Sequence, residues 1–232
     1  MRCAIYFVPP REHPLALAAA SWLRRDPYTG ASPTAPTTGL SEDEHAVLTT
    51  APRRYGFHAT IKAPFRLADG ATLEALGERL DVLAGGLTPF GVELELAQID
   101  EFFALVPRQP VPELDELAAR VVTGFDAFRA LLDDSDLARR DASRLSERQL
   151  SHLRTWGYPY VFDEFRFHMT LTGPVAAPEQ PRVRQAIEAH FGTGPHRIEV
   201  SQLAIAVEAE DQAPFLVHSI HSFAAASARL RA

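Results

Sequence analysis

The chain has 232 residues, 46% of them apolar, and its 23 basic against 30 acidic side chains leave a formal charge of −7. That apolar content builds a real core and excludes general disorder, while the single cysteine, Cys3, excludes a disulfide framework and any cysteine-based zinc site. The acidic balance argues against coating of extended nucleic acid, and no run approaches the roughly 18 apolar residues of a membrane span. A lone cysteine and no leader-like start point to the reducing cytoplasm. The length suits one bilobal domain over residues 1–232.

Arg2 to Val8 reads as a strand closed by Pro9-Pro10, and Leu15 to Arg25 as an alanine-rich helix. Residues 26–39 are rich in Pro, Gly, Ser and Thr and read as a mobile loop; whether it covers a site is left open. Ser41-Glu42-Asp43-Glu44 is a capping-box pattern that starts a short helix. Tyr55 to Pro64 reads as strand, Leu73 to Leu83 as helix, and Val92 to Leu96 and Phe102 to Val106 as paired strands. A charged helical insert follows at about 111–155, broken near Asp133-Asp134-Ser135-Asp136; its Arg139, Arg140, Arg144 and Arg148 read as a solvated face. Glu164 to Leu171 reads as strand, Arg182 to His190 as helix, and Ile198 to Ala206 and Phe215 to Ser222 as the last strands. Strands and helices mix without regular βαβ alternation. The expected fold is therefore α+β and bilobal, with antiparallel sheets forming a central cleft and helices outside.

One repeat stands out. Phe57-His58-Ala59-Thr60-Ile61-Lys62-Ala63-Pro64 recurs as Phe167-His168-Met169-Thr170-Leu171-Thr172-Gly173-Pro174. A repeat of two copies predicts two similar lobes. Side chains at i and i+2 of a strand share a face. His58, Thr60 and Lys62 should then project together, as should Arg166, His168, Thr170 and Thr172. The alternate residues are apolar and should be core. If the lobes face one another, the two faces meet in one cleft.

Two imidazoles, two hydroxyls and two cations suit a phosphodiester. One imidazole can act as base and the other as acid near neutrality. Thr60 and Thr170 can donate to phosphoryl oxygens, while Lys62 and Arg166 hold developing charge. Which histidine is acid and which is base stays open. Tyr6 can face the cleft or sit in the core, and Tyr158 and Tyr160 flank a turn before the second motif. Neither motif carries a second imidazole or a carboxylate, so the expectation is no metal and no cofactor. His218 and His221 fall on opposite strand faces and do not form a metal pair.

These residues resemble the two-histidine phosphoesterase superfamily, defined by paired His-x-Thr/Ser motifs. Its members include cyclic phosphodiesterases and RNA 2′,3′-cyclic phosphate enzymes. Arg54 to Phe65, Trp156-Gly157-Tyr158-Pro159-Tyr160-Val161 and Phe165 to Pro174 are similar to the branch of phosphonate-metabolism proteins associated with bacterial carbon–phosphorus lyase. The resemblance implies catalytic roles for His58, Thr60, His168 and Thr170. It also implies a small or nucleotide-like cyclic phosphodiester as substrate, 5-phosphoribosyl 1,2-cyclic phosphate being one candidate. The other readings are a sensor that binds a phosphorylated ligand without turnover, and an RNA-end-processing enzyme. Sequence fixes neither the leaving oxygen nor the oligomeric state.

Overall fold

The computed structural model describes residues 1–133 and 145–224. The expected α+β architecture is what it holds. Eight strands form an antiparallel sheet: β1 (Arg2–Phe7), β2 (Ala59–Phe65), β3 (Phe90–Ile99), β4 (Phe102–Pro107), β5 (Met169–Thr170), β6 (His196–Val200), β7 (Gln202–Glu208) and β8 (Leu216–Ser222). The helices are α1 (Pro14–Leu23), α2 (Glu42–Tyr55), α3 (Leu73–Gly85), α4 (Pro112–Gly124), α5 (Glu147–Trp156) and α6 (Gln180–Phe191). Short 3-10 turns lie at Asp126–Phe128, Phe162–Glu164 and Ala177–Glu179. The expected break at 133–136 lies almost wholly outside the described residues, as do Arg139, Arg140 and Arg144. Arg148, on α5, forms a surface ion pair with Asp163.

The strand order is β6-β3-β4-β5-β2-β1-β7-β8. Outward from the centre, each half consists of a motif strand, then the strand that precedes it, then a strand lying beyond the helix that follows a motif, then an edge strand, β6 or β8. The third strand is exchanged. β3 follows the first motif but pairs with β4, and β7 follows the second motif but pairs with β1. The halves meet where β2 and β5 pair, at Ala59 opposite Met169. Ser201 alone separates β6, at one end of this order, from β7 near the other. One residue spans at most about 3.6 Å, so the ends of the sheet come together and the sheet is curled. The run from Ile198 to Ala206, expected as one strand, is two for this reason.

Local signals account for most boundaries. Ser41 and Ser146 each cap a helix through a complete capping box, with Glu44 and Gln149 as the reciprocal partners. α2 runs through Pro52 to Tyr55, well beyond the short helix expected, and Gly56 ends it. β2 therefore starts at Ala59 rather than Tyr55. Along β1 the side chains alternate. Cys3, Ile5 and Phe7 join the main core with Phe57, Ala59, Ile61, Phe167, Met169 and Leu171. Ala4, Tyr6 and Val8 join a smaller cluster with Ala204, Ala206 and Phe215 on the other face. The apolar alternates of both motifs are core, as their period requires.

Candidate active site

Pairing of Ala59 with Met169 sets the motifs in register. In an antiparallel pair this places His58 opposite Thr170 and Thr60 opposite His168. The two histidines are then diagonal neighbours, roughly 7–8 Å apart at the backbone. They are close enough for the charge of His168 to act on His58. Thr60 also stands opposite Tyr6 on β1, so the Tyr6 side chain shares the histidine face.

His58 is held on three sides. Its Nδ1–H donates to the Gly56 carbonyl at 2.9 Å. That fixes the tautomer and leaves Nε2 as the lone-pair nitrogen, which meets Thr60 Oγ1 at 3.2 Å. The Tyr6 ring lies over it with centroids 3.9 Å apart, and Tyr55 lies 6.0 Å away. Gly56 has φ +72°, and a Cβ there would stand 2.6 Å from Pro27 Cβ, so only glycine brings that carbonyl under the ring. Burial pushes the His58 imidazolium down to about 4, the Gly56 contact opposes this, and His168 adds to it. His168 repeats the backbone device: its Nδ1–H donates to the Arg166 carbonyl at 2.7 Å. Its ring lies 5.9 Å from that of Phe102.

Beyond Ala59–Met169 the central strands part. β2 runs on to Phe65, while the chain before Met169 turns through the 3-10 segment at Phe162–Glu164 and does not pair with it. The strand expected over 164–171 shrinks to two residues for that reason. A cleft of about 730 Å³ fills the opening. Thr60 and His168 stand at one end of its wall, with Arg166, Phe102, Tyr158 and Tyr160 among the other lining side chains. His58 sits one contact back, bonded to Thr60. Tyr158 and Tyr160 meet edge to face with centroids 5.5 Å apart. Arg166 lines the cleft and is exposed. No residue of the 26–39 loop lines the cleft among the described residues; its start is tied to β8, where Val217 N donates to the Pro27 carbonyl at 2.9 Å.

Three expected positions differ. Lys62 does not share the face of His58 and Thr60. The β1–β2 register slips between Tyr6–Thr60 and Ile5–Lys62, so Lys62 stands opposite a core residue. It is buried, donating to the Val122 carbonyl at 3.2 Å and to Asp126 Oδ1 at 3.4 Å. Burial pushes its ammonium down, and Asp126 works the other way. Lys62 still lines the cleft, but Thr172 does not: β5 ends at Thr170, and the buried Thr172 Oγ1 accepts from Phe103 N at 3.0 Å. Tyr6 is buried beneath His58 rather than on the cleft wall.

Sequence reasoning missed Arg129, whose guanidinium holds Asp126 and whose side chain lines the cleft. No pattern in the sequence marks it; it is the fold that closes the Gly157 turn against the Arg129 side chain. His221, by contrast, is a structural histidine: it is 4% exposed and bridges Asp81 at 2.7 Å and Ser219 at 2.8 Å. Among the described residues, no three His, Cys, Asp or Glu side chains group as metal ligands, and no helix is long and apolar enough to cross a membrane.

The strand order and the paired motifs define a two-lobed α+β protein whose cleft opens where its central strands part. The chain belongs to the DUF1045 family, described as a protein of unknown function, whose family model matches residues 60–216. It is 37% identical over 225 residues to a protein of Janthinobacterium sp. (strain Marseille) named ribose 1,5-bisphosphate phosphokinase PhnN, covering 93% of this chain and 49% of that protein. The chain spans about half the length of the curated relatives it matches. Among solved structures it is similar to TT0787 of Thermus thermophilus, with a TM-score of 0.48 and 14% identity over 97% of this chain and 100% of that one. It is also similar to E. coli LigT complexed with NADP+, with a TM-score of 0.42 and 13% identity over 96% of this chain and 97% of that one.

Proposed function

We propose that the chain is a metal-independent phosphodiesterase that opens a small cyclic phosphodiester, with His58 and His168 as its acid–base pair. The observation that carries this reading is the antiparallel register that sets the two His-x-Thr pairs side by side, with Thr60 and His168 on the wall of a cleft and His58 bonded to Thr60. In this reading His58 is the base. Its ring is neutral at physiological pH, and its Nδ1–H is pinned, so Nε2 is the nitrogen that can take a proton. Water attacks phosphorus and gives that proton to Nε2. The bond from phosphorus to the sugar oxygen breaks, and His168, on the cleft wall where the sugar must lie, protonates the leaving oxygen. One water is consumed and a phosphate monoester results. Each imidazole contributes on the order of 10²–10⁴-fold. Thr60 and Thr170 bind the phosphoryl oxygens, and Arg166 adds charge on the cleft lining.

The name of the relatives supports a particular substrate. Opening 5-phosphoribosyl 1,2-cyclic phosphate at the 2-oxygen leaves phosphate on carbon 1, and the product is ribose 1,5-bisphosphate. That is the compound named in relatives about twice as long as this chain. A kinase reading of the chain itself finds no support in its sequence. Its one lysine, Lys62, follows Ile61, so no Gly-x-x-x-x-Gly-Lys phosphate loop is present.

Phosphorus NMR tests the proposal with 5-phosphoribosyl 1,2-cyclic phosphate, nucleoside 2′,3′-cyclic phosphates and short RNAs ending in 2′,3′-cyclic phosphate. Conversion of the first to a monoester, unchanged by EDTA, is the expected result. Binding without conversion of any member would favour the sensor reading. Faster opening of the RNA ends would favour RNA processing, and loss of activity in EDTA restored by a divalent ion would favour a metallohydrolase.

A further inference from the structure

The 23 basic residues are 22 arginines and a single lysine. That lysine, Lys62, is 4% exposed, yet it belongs to the cleft wall. Arg129 shares its counter-ion: Nε and Nη2 donate to the two Asp126 oxygens at 2.9 and 3.2 Å. The same guanidinium donates to the carbonyls of Ala130 and Thr155. Two cations on one carboxylate leave the cluster with net positive charge. Among the described residues, each cation also retains one N–H beyond these bonds, an ammonium having three and a guanidinium five. The cleft as a whole leans the same way. Among the described residues, Arg2, Lys62, Arg66, Arg129 and Arg166 line it with Asp100 and Glu164, and Arg2 and Arg66 pair with Glu208 and Asp133.

The cluster shares the cleft with Thr60 and His168. Lys62 lies beyond Thr60 on β2, across the bulge. Arg129 bridges to Leu67 at the continuation of that strand, where Ala130 N donates to the Arg66 carbonyl at 2.8 Å. A cleft of about 730 Å³ has room for a pentose carrying phosphate at both ends. The position is also sterically built. Gly157 has φ +75°, and a Cβ there would lie 2.8 Å from Arg129 Cδ, so the α5 terminus closes directly onto the guanidinium stem.

We propose that Lys62 and Arg129 form an anion subsite, distinct from the two imidazoles, for a phosphate monoester on the far end of the substrate. This rests on the reading above, in which a cyclic phosphodiester lies between His58 and His168. It narrows the substrate class to sugar phosphates that carry a second, ionised phosphate group, and it sets aside nucleoside cyclic phosphates that lack one.

Lys62 being the only lysine, the subsite can be probed without turnover. Pyridoxal 5′-phosphate presents a phosphate and an aldehyde. The aldehyde condenses with the Lys62 amine, releasing water, and borohydride hydride reduces the imine to a secondary amine. Mass spectrometry of the folded chain should find the label on Lys62 besides the amino terminus, blocked by ribose 5-phosphate but not by ribose. Absence of label on Lys62, or equal protection by ribose, overturns the subsite whatever the activity. In turnover, kcat/KM for ribosyl 1,2-cyclic phosphate should rise about 100-fold when carbon 5 bears phosphate, the scale of one or two charge-assisted hydrogen bonds. That preference should fall below about 10-fold in Lys62→Met and in Arg129→Gln, whereas a merely structural role would slow both substrates alike. Equal kcat/KM on the two substrates in the unaltered protein overturns the subsite and leaves the phosphodiesterase reading standing. No opening of either substrate would sink that reading, with the labelling result still deciding the subsite.

Discussion

His58 is a neutral imidazole kept neutral by its surroundings. Burial disfavours the charged form more than the Gly56 carbonyl favours it, the charge of His168 adds to this, and the group is held at about 4. A base must be unprotonated, so the acid limb of kcat/KM should fall as pH drops through about 4. An imidazole at its ordinary value of about 6.5 would already be mostly protonated at pH 5. A profile measured from pH 4 to 8 checks this, and an acid limb centred near 6.5 would show that His58 is not the base or is not so buried. His58→Ala and His168→Ala should each lower kcat by at least about 100-fold, with far-ultraviolet circular dichroism unchanged. The common face of His58 and Thr60 was legible in the sequence because it follows from strand period alone. The position of Lys62 was not, because one slipped residue between Thr60 and Lys62 reverses that period, and nothing in Thr-Ile-Lys announces a bulge.

At the level of elements, the cleft exists because β5 is short. Antiparallel partners would have zipped β2 to Phe65; instead the chain before Met169 turns away and leaves space between them. The apolar-alternating run from Glu164 to Leu171 looks like strand by pattern, but pairing begins only at Met169, which meets β2 and β4, and continues through Thr170 to the Leu171 N–H on the Phe103 carbonyl. Pattern reports which face a residue prefers, not whether a neighbouring backbone is there to bond. The far wall depends on the turn after α5. Gly157→Ala should destabilise the protein by roughly 1–2 kcal/mol through its left-handed backbone alone. It should also displace Arg129, on which a Cβ would impinge at 2.8 Å. Denaturant unfolding measures the first effect, and the preference for a 5-phosphorylated substrate measures the second. The reach of α2 to Tyr55 escaped the sequence reading because Pro52 there reads as a stop, yet the helix carries it.

Across the whole molecule, duplication was readable from the repeated octapeptides, while the exchange of strands between halves was not. β3 and β7 each leave the half that precedes them, and Ser201 joins the opposite ends of the sheet order; local pattern carries no record of either. The exchanged strand β7 is also tied by charge to β1 and α2. Glu208 at the end of β7 is 1% exposed and pairs with Arg2 of β1 and Arg54 of α2. Glu208→Gln should cost about 3 kcal/mol, because it strips two guanidinium groups of their counter-charge. A shift in denaturant midpoint without a change in slope would report this. Acidification should weaken the fold in two stages. His58, His45 and His196 are all held below the ordinary imidazole value by burial. The unfolded chain therefore binds more protons at these positions, and stability present above about 6.5 declines as pH falls toward 4. Below that, protonation of Glu208, held down by Arg2 and Arg54, removes a second share. Unfolding curves between pH 7 and 3 should show both declines.

The most direct measurement is a crystal structure with tungstate, a tetrahedral oxyanion of phosphate shape. Density within about 3 Å of Nε2 on both His58 and His168, with oxygens on the Thr60 and Thr170 hydroxyls, is the result expected. Rings that point apart, with the anion bound only elsewhere, would contradict the claim that the two motifs act on one phosphorus.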